Sequence, residues 1–123
     1  DGTIDLSNDR FSIHYTRNVV STDFAKDPCL LVYYDYTNNG SGASSAMVDV
    51  NLTAYQNGAA LEAAIPADSD SAIDAFMKEI QPGETVNVCQ AFSLKDMSPV
   101  TLQAVDAFGL DTGVTAVQTL PLQ

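Results

Sequence analysis

Hydrophobic and polar residues alternate with period two over much of the chain, the signature of strands with one face on a core and one in water. Phe11, Ile13 and Tyr15 alternate with Ser12, His14 and Thr16. From Cys29 the residues Leu30, Val32, Tyr34 and Tyr36 point one way and Cys29, Leu31, Tyr33 and Asp35 the other. Asn38-Asn39-Gly40-Ser41-Gly42 then breaks that strand. Val48, Val50, Leu52 and Ala54 alternate with Asp49, Asn51, Thr53 and Tyr55, and Asn57-Gly58 follows as a type I′ hairpin signal into residues 59–64. Val86, Val88, Phe92 and Leu94 share a face opposite Asn87, Cys89 and Ala91, and Val100, Leu102 and Ala104 point inward on the next strand. Residues 113–120 predict a last strand, in which Val114, Val117 and Leu120 keep no strict alternation.

One stretch departs from this period. Ile73, Phe76, Met77 and Ile80 fall at helical spacing, with Ser71 and Asp74 placed to cap a short helix near residues 71–80. Residues 1–10 are polar apart from Ile4 and Leu6 and read as a lead-in or short edge segment. About seven short strands with frequent turns, and no strand–helix–strand rhythm, predict an all-β antiparallel sandwich as a single domain over residues 11–123.

The two cysteines can be placed by parity. If Leu30, Val32, Tyr34 and Tyr36 face the core, Cys29 lies on the outer face of its sheet, and the same reasoning puts Cys89 on an outer face. They can meet only if their strands are neighbours in one sheet. Setting Cys29 opposite Cys89 also sets Leu30 opposite Val88 and Val32 opposite Val86. The expectation is a cross-strand Cys29–Cys89 disulfide closing a loop of about 60 residues and contributing about 4 kcal/mol in the chain-entropy treatment. Two buried free thiols are the alternative. A disulfide implies an oxidising, extracytoplasmic location.

Composition narrows the partners. The chain has 123 residues, 46% of them hydrophobic, enough for a two-layer core. Sixteen acidic residues against five basic ones give a net charge of −11, which repels nucleic-acid phosphates and anionic lipid. No apolar run is long enough to span a bilayer, and no basic-then-apolar leader opens the sequence.

Three signatures occur in order: the strand Leu31-Val-Tyr-Tyr-Asp-Tyr-Thr-Asn-Asn39, then Ala54-Tyr-Gln-Asn-Gly58 leading to Leu61-Glu62, then Ile80-Gln-Pro-Gly83 before Val86–Leu94. Over roughly residues 11–107 the chain resembles the immunoglobulin-like domains of bacterial cell-surface lipoproteins grouped as domain of unknown function 5067, and a related group that includes the mycobacterial immunoprotective extracellular antigen. The resemblance implies an immunoglobulin-like sandwich outside the membrane, anchored through a signal peptide, a lipidated cysteine and a linker upstream of Asp1. It carries over no catalytic or ligand residue.

Candidate chemistry is sparse. His14 is the only histidine, on a polar strand face, with no nucleophile motif near it. Neither a phosphate loop, a dinucleotide fingerprint nor a zinc-protease motif occurs, so no enzyme activity and no cofactor is expected. Asp68, Asp70 and Asp74 are weak candidates for a cation site, but Asp68-Ser-Asp-Ser-Ala-Ile lacks the third ligand and the glycine of a calcium loop. The outer face around Leu31, Tyr33 and Tyr55 is more apolar than a wet sheet face needs. Either segment 59–80 folds over it, or it is an interaction face for another surface protein or a glycan. The expectation is a non-catalytic extracellular domain of a surface or secreted lipoprotein, with a spacer or protein-binding role. A carbohydrate- or calcium-binding surface module is the alternative.

Overall fold

The computed structural model describes residues 2–109 and 115–122. The elements in order are β1 (Leu6–Ser7), β2 (Phe11–Thr22), β3 (Pro28–Asn38), α1 (Ala46–Asp49), β4 (Val50–Gln56), β5 (Ala59–Ala60), α2 (Ser71–Ala75), β6 (Thr85–Ser93), β7 (Val100–Asp106) and β8 (Ala116–Leu120). They form two antiparallel four-stranded sheets, β1-β2-β3-β6 and β5-β4-β7-β8, packed as an all-β sandwich. The alternation read from the sequence supplies the filling. Leu30, Val32, Tyr34, Tyr36 and Val88 of the first sheet pack with Leu52, Ala54, Val100, Leu102 and Ala104 of the second. Ile4, Leu6 and Phe11 join this core, so the lead-in is part of the packing.

The hairpin reading is met in detail. Asn57 and Gly58 take φ of 51° and 82°, as a type I′ turn requires, between β4 and β5. β5 is shorter than the sequence suggested because the chain leaves β4 after two residues. Residues 46–49 differ outright. They coil into α1 behind the N-cap Ser45, so β4 starts at Val50 and Val48 is exposed instead of inward. That helical turn swings Asp49 into the interior. In the last strand Ala116, Gln118 and Leu120 face inward and Val117 faces out, while Val114 lies outside the described residues.

The strands of the two cysteines are neighbours, as the expected disulfide would need, but their register differs from the expected one. Cys29 stands opposite Ser93, and Cys89 opposite Tyr33. Both sulfurs are free and buried. Four residues of stagger separate them by about 13 Å along the strands, beyond the roughly 7 Å Cα–Cα span that a disulfide bridges. The parity argument could not see this, because a shift of four residues preserves every inside–outside assignment. The observed register sets Leu30 against Phe92, Tyr34 against Val88 and Tyr36 against Val86. It also puts Gln90 opposite Val32, where the Tyr34 hydroxyl donates to Gln90 Oε1 at 2.6 Å.

Burial pushes the Cys89 thiol up to about 12, with the Asp70 charge adding to it, and burial also raises Cys29. Both thiols are therefore poor nucleophiles. Iodoacetamide should leave native protein unmodified and label both cysteines after unfolding in urea without reductant. Peptide mapping that recovered a Cys29–Cys89 bridge would contradict this register.

Candidate functional site

The outer face of β3 is covered. Cys29, Leu31, Tyr33 and Cys89 are buried beneath Ala72, with Val19, Ala64, Ile73 and Ala91 packed around them. Segment 59–80 thus folds over this face, and Leu31 and Tyr33 form no open interaction surface. Tyr55 is half-buried on β4, in the other sheet, and is not part of the same face. Tyr33 is instead a fastening point. Its hydroxyl donates to Asp70 Oδ2 at 2.7 Å, and the Arg17 guanidinium lies 3.8 Å over its ring. Burial and the bond to Asp70 push the Tyr33 hydroxyl up to about 12.

The acidic loop is used structurally. Asp70, one residue before the expected cap Ser71, N-caps α2 by accepting from the Ile73 N–H at 2.8 Å. Burial works to raise the Asp70 pKa, but the Ile73 N–H and the Tyr33 hydroxyl outweigh it and hold the carboxyl below its ordinary range. Asp74 accepts from Ser69 Oγ, and Asp68 is exposed. Among the described residues no three metal-ligating side chains come together. His14 is 70% exposed with Nδ1 3.1 Å from Asp5 Oδ2.

Sequence reasoning missed a buried charge cluster at one end of the sandwich. Arg10, just before β2, reaches the other sheet. Its Nη1 donates to Asp49 Oδ1 at 2.8 Å and its Nη2 to Asp106 Oδ1 at 2.6 Å. Tyr36 donates to Asp49 Oδ2 at 2.5 Å, and Asn8 Nδ2 to Asp106 Oδ2 at 2.9 Å. The Arg10 guanidinium lies 4.6 Å from the Phe108 ring centre and 5.5 Å from that of Phe11. A polar cleft of about 520 Å³ opens beside the cluster, lined by Asp9, Arg10, Asn39, Ser41 and Asp49 among others. The groups at its base bond to one another, so the cluster acts as a brace between sheets. The sequence signal was faint: Asp49 and Asp106 each sit at a strand end, and only the fold brings Arg10 between them.

A second cavity differs in character. An apolar groove of about 210 Å³ runs between α2 and β6, lined by Ala64, Pro66, Ile73, Phe76, Met77 and Phe92 among others. Of its lining residues Met77 is 64% exposed, and Ile65, between the lining residues Ala64 and Pro66, is 66% exposed. Phe24, 70% exposed, is tied to Ile65 through its backbone N–H, which donates to the Ile65 carbonyl at 3.0 Å.

The profile of the family described as "Domain of unknown function (DUF5067)" matches residues 1–106. The chain belongs to the DUF5067 family. This DUF5067 domain is also similar to two solved structures. One is a candidate lipoprotein from Bacillus subtilis, with a TM-score of 0.72 and 14% identity over 99% of this chain and 39% of that one. The domain thus spans about two fifths of the Bacillus chain. The other is a candidate lipoprotein from Staphylococcus aureus, with a TM-score of 0.74 and 10% identity over 97% of this chain and 88% of that one. At these identities the likeness is one of fold. No curated protein matches the sequence significantly.

The brace yields two expectations. Replacing Arg10 by Leu leaves Asp49 and Asp106 buried without their cation, and should cost about 3–5 kcal/mol in urea unfolding. Arg10 is 27% exposed at its side chain, which favours the lower end. For pH, burial alone would raise Asp106, but the Phe108 N–H, Arg10 and Asn8 prevail and hold its carboxyl below the ordinary value. The folded pKa is thus below the unfolded one near 3.9, so the stabilisation is complete above about pH 4 and is lost as pH falls through the folded value. Urea midpoints should drop as pH falls below about 4, and Asp106→Asn should flatten that drop.

Proposed function

We propose that this DUF5067 domain is a non-catalytic protein-binding module held outside the cytoplasmic membrane on a bacterial lipoprotein. The observation that carries the binding role is the apolar groove beside β6, with Met77 in its wall and Ile65, between the lining residues Ala64 and Pro66, about two-thirds exposed. On a domain of net charge −11 such a concentration of open apolar groups has a cost that solubility alone does not explain. Strand order supports an immunoglobulin-like reading. β2-β3-β6 facing β5-β4-β7-β8 follows the order A-B-E facing C′-C-F-G. The location rests on the two lipoprotein-derived structures of the same fold.

The non-catalytic reading rests on the polar groups themselves. His14 is held by Asp5, and among the described residues no hydroxyl or thiol shares a hydrogen bond with it. Both thiols are buried beneath α2, with raised pKa values. A glycan site would have to draw on the polar cleft, whose Asn38, Asp49 and Arg10 side chains already bond within the protein. For that reason the protein-binding reading is preferred.

Location is tested by cell fractionation of the full-length gene product. It should partition into the detergent phase, incorporate labelled fatty acid, and be shaved from intact cells by protease. Recovery from the cytosol without lipid would overturn the proposal.

A further inference from the structure

The groove lies along the edge of a sheet, which indicates what kind of occupant it takes. β6 is the outermost strand of its sheet and pairs with β3 on one side. Its other side is covered only at one end. The Ala64 N–H donates to the Ala91 carbonyl at 3.0 Å, and the Ser93 N–H to the Glu62 carbonyl at 2.8 Å. Those bonds set the phase of the strand: odd-numbered residues of β6 direct their backbone groups away from β3. The bond from the Leu94 N–H to the Pro28 carbonyl, at 3.1 Å, agrees, since even-numbered residues face β3. Beyond Ala64 the cover departs, because Pro66 has no N–H to continue the ladder and the chain turns to pair with Asp23. Thr85 and Asn87 are therefore exposed edge residues with outward backbone groups, and among the described residues nothing pairs with them there.

The groove begins where that cover ends. Cys89 and Ala91 from one face of β6 and Gln90 and Phe92 from the other all line it, so it straddles the strand's edge. Its opposite wall is Ile73, Phe76 and Met77. An open row of backbone donors and acceptors beside an apolar pocket is the arrangement that receives an added strand. The chain framing it is strongly acidic. Residues 62–84 carry Glu62, Asp68, Asp70, Asp74, Glu79 and Glu84 against Lys78 alone.

We propose that the free edge of β6 at Thr85 and Asn87 takes an extended, basic peptide segment of a partner protein as an added strand, with an apolar side chain seated in the groove that begins at Cys89, against Phe76 and Met77. This rests on the protein-binding reading above and names the chemistry of the partner. Backbone pairing supplies affinity, the groove selects an apolar residue, and the acidic frame selects Lys or Arg beside it.

The test is selection of a random peptide library displayed on phage against the folded domain. The expected winners alternate Lys or Arg with Val, Ile or Leu, and bind less tightly as salt rises. Asn87→Pro removes an outward N–H without touching the β3 ladder, and should weaken the selected peptides by at least roughly tenfold. Asn87→Ala loses the same side-chain bonds, to Thr16 and Asp35, but keeps the N–H, and should bind like the parent. Met77→Lys, at an exposed position that leaves folding intact, should weaken binding similarly. Peptides that are acidic, or that bind Asn87→Pro as well as the parent, would overturn the added strand while leaving protein binding standing. A library yielding no binder to folded domain would overturn both. Sedimentation showing a dimer of the parent abolished by Asn87→Pro would assign the edge to a second copy and reject the peptide partner.

Discussion

β3 is apolar on both faces, and a sheet built around it must be covered twice. Eight of its eleven residues are buried. One cover is the second sheet, which seals Leu30, Val32, Tyr34 and Tyr36. The other is segment 61–80, which lays Ala72 and its neighbours over Cys29, Leu31, Tyr33 and Cys89. Each fully buried side chain of this size contributes about 1.5–3 kcal/mol, so an uncovered outer face would forfeit a large part of the stability of an ordinary domain. The requirement explains why α2 is so short and so firmly fixed. It is a patch, held by the Asp70 cap and the Tyr33 hydroxyl.

The same requirement creates the groove. A single strap cannot follow β6 along its whole edge and also cross the sheet face above Leu31 and Tyr33. It pairs with β6 at Glu62–Ala64, leaves at Pro66, and returns over the face as α2. The gap between the two passages is the apolar cavity, and the part of β6 it fails to reach is an open edge. At the far end of the sandwich the two sheets are tied by Arg10 between Asp49 and Asp106. A buried ion pair is weak evidence of stability in itself, since desolvation offsets attraction. Here it fixes which strand ends meet, because neither carboxylate can stay buried without the guanidinium.

Much of the scaffold was legible because strand alternation is a local property. Val100, Leu102 and Ala104 on one strand, Leu30 to Tyr36 on another, and the Asn57-Gly58 hairpin follow from neighbours one or two residues apart. The α1 turn was not legible: Val48 to Ala54 alternates well enough to be a strand, and only the pull of Asp49 toward Arg10 and Tyr36 favours coiling it. The candidate site was harder still. The outward tyrosines drew attention to the right strand for the wrong reason, since Tyr33 proved to be what the cover fastens to. Met77, read only as part of a helical stripe, is open in the groove wall.

By itself, then, the sequence determined the two-faced strand around Tyr33 and Tyr34, the sandwich class, and the outer-face placement of Cys29 and Cys89. These depend on period-two parity, which any register in steps of two satisfies equally. The tertiary structure decided the register that keeps the thiols apart, the pairing of Arg10 with two distant aspartates, and where the strap abandons the edge of β6. Each of those is set by long-range fit, in which loop reach and cross-sheet charge pairing select one arrangement among several that local pattern allows.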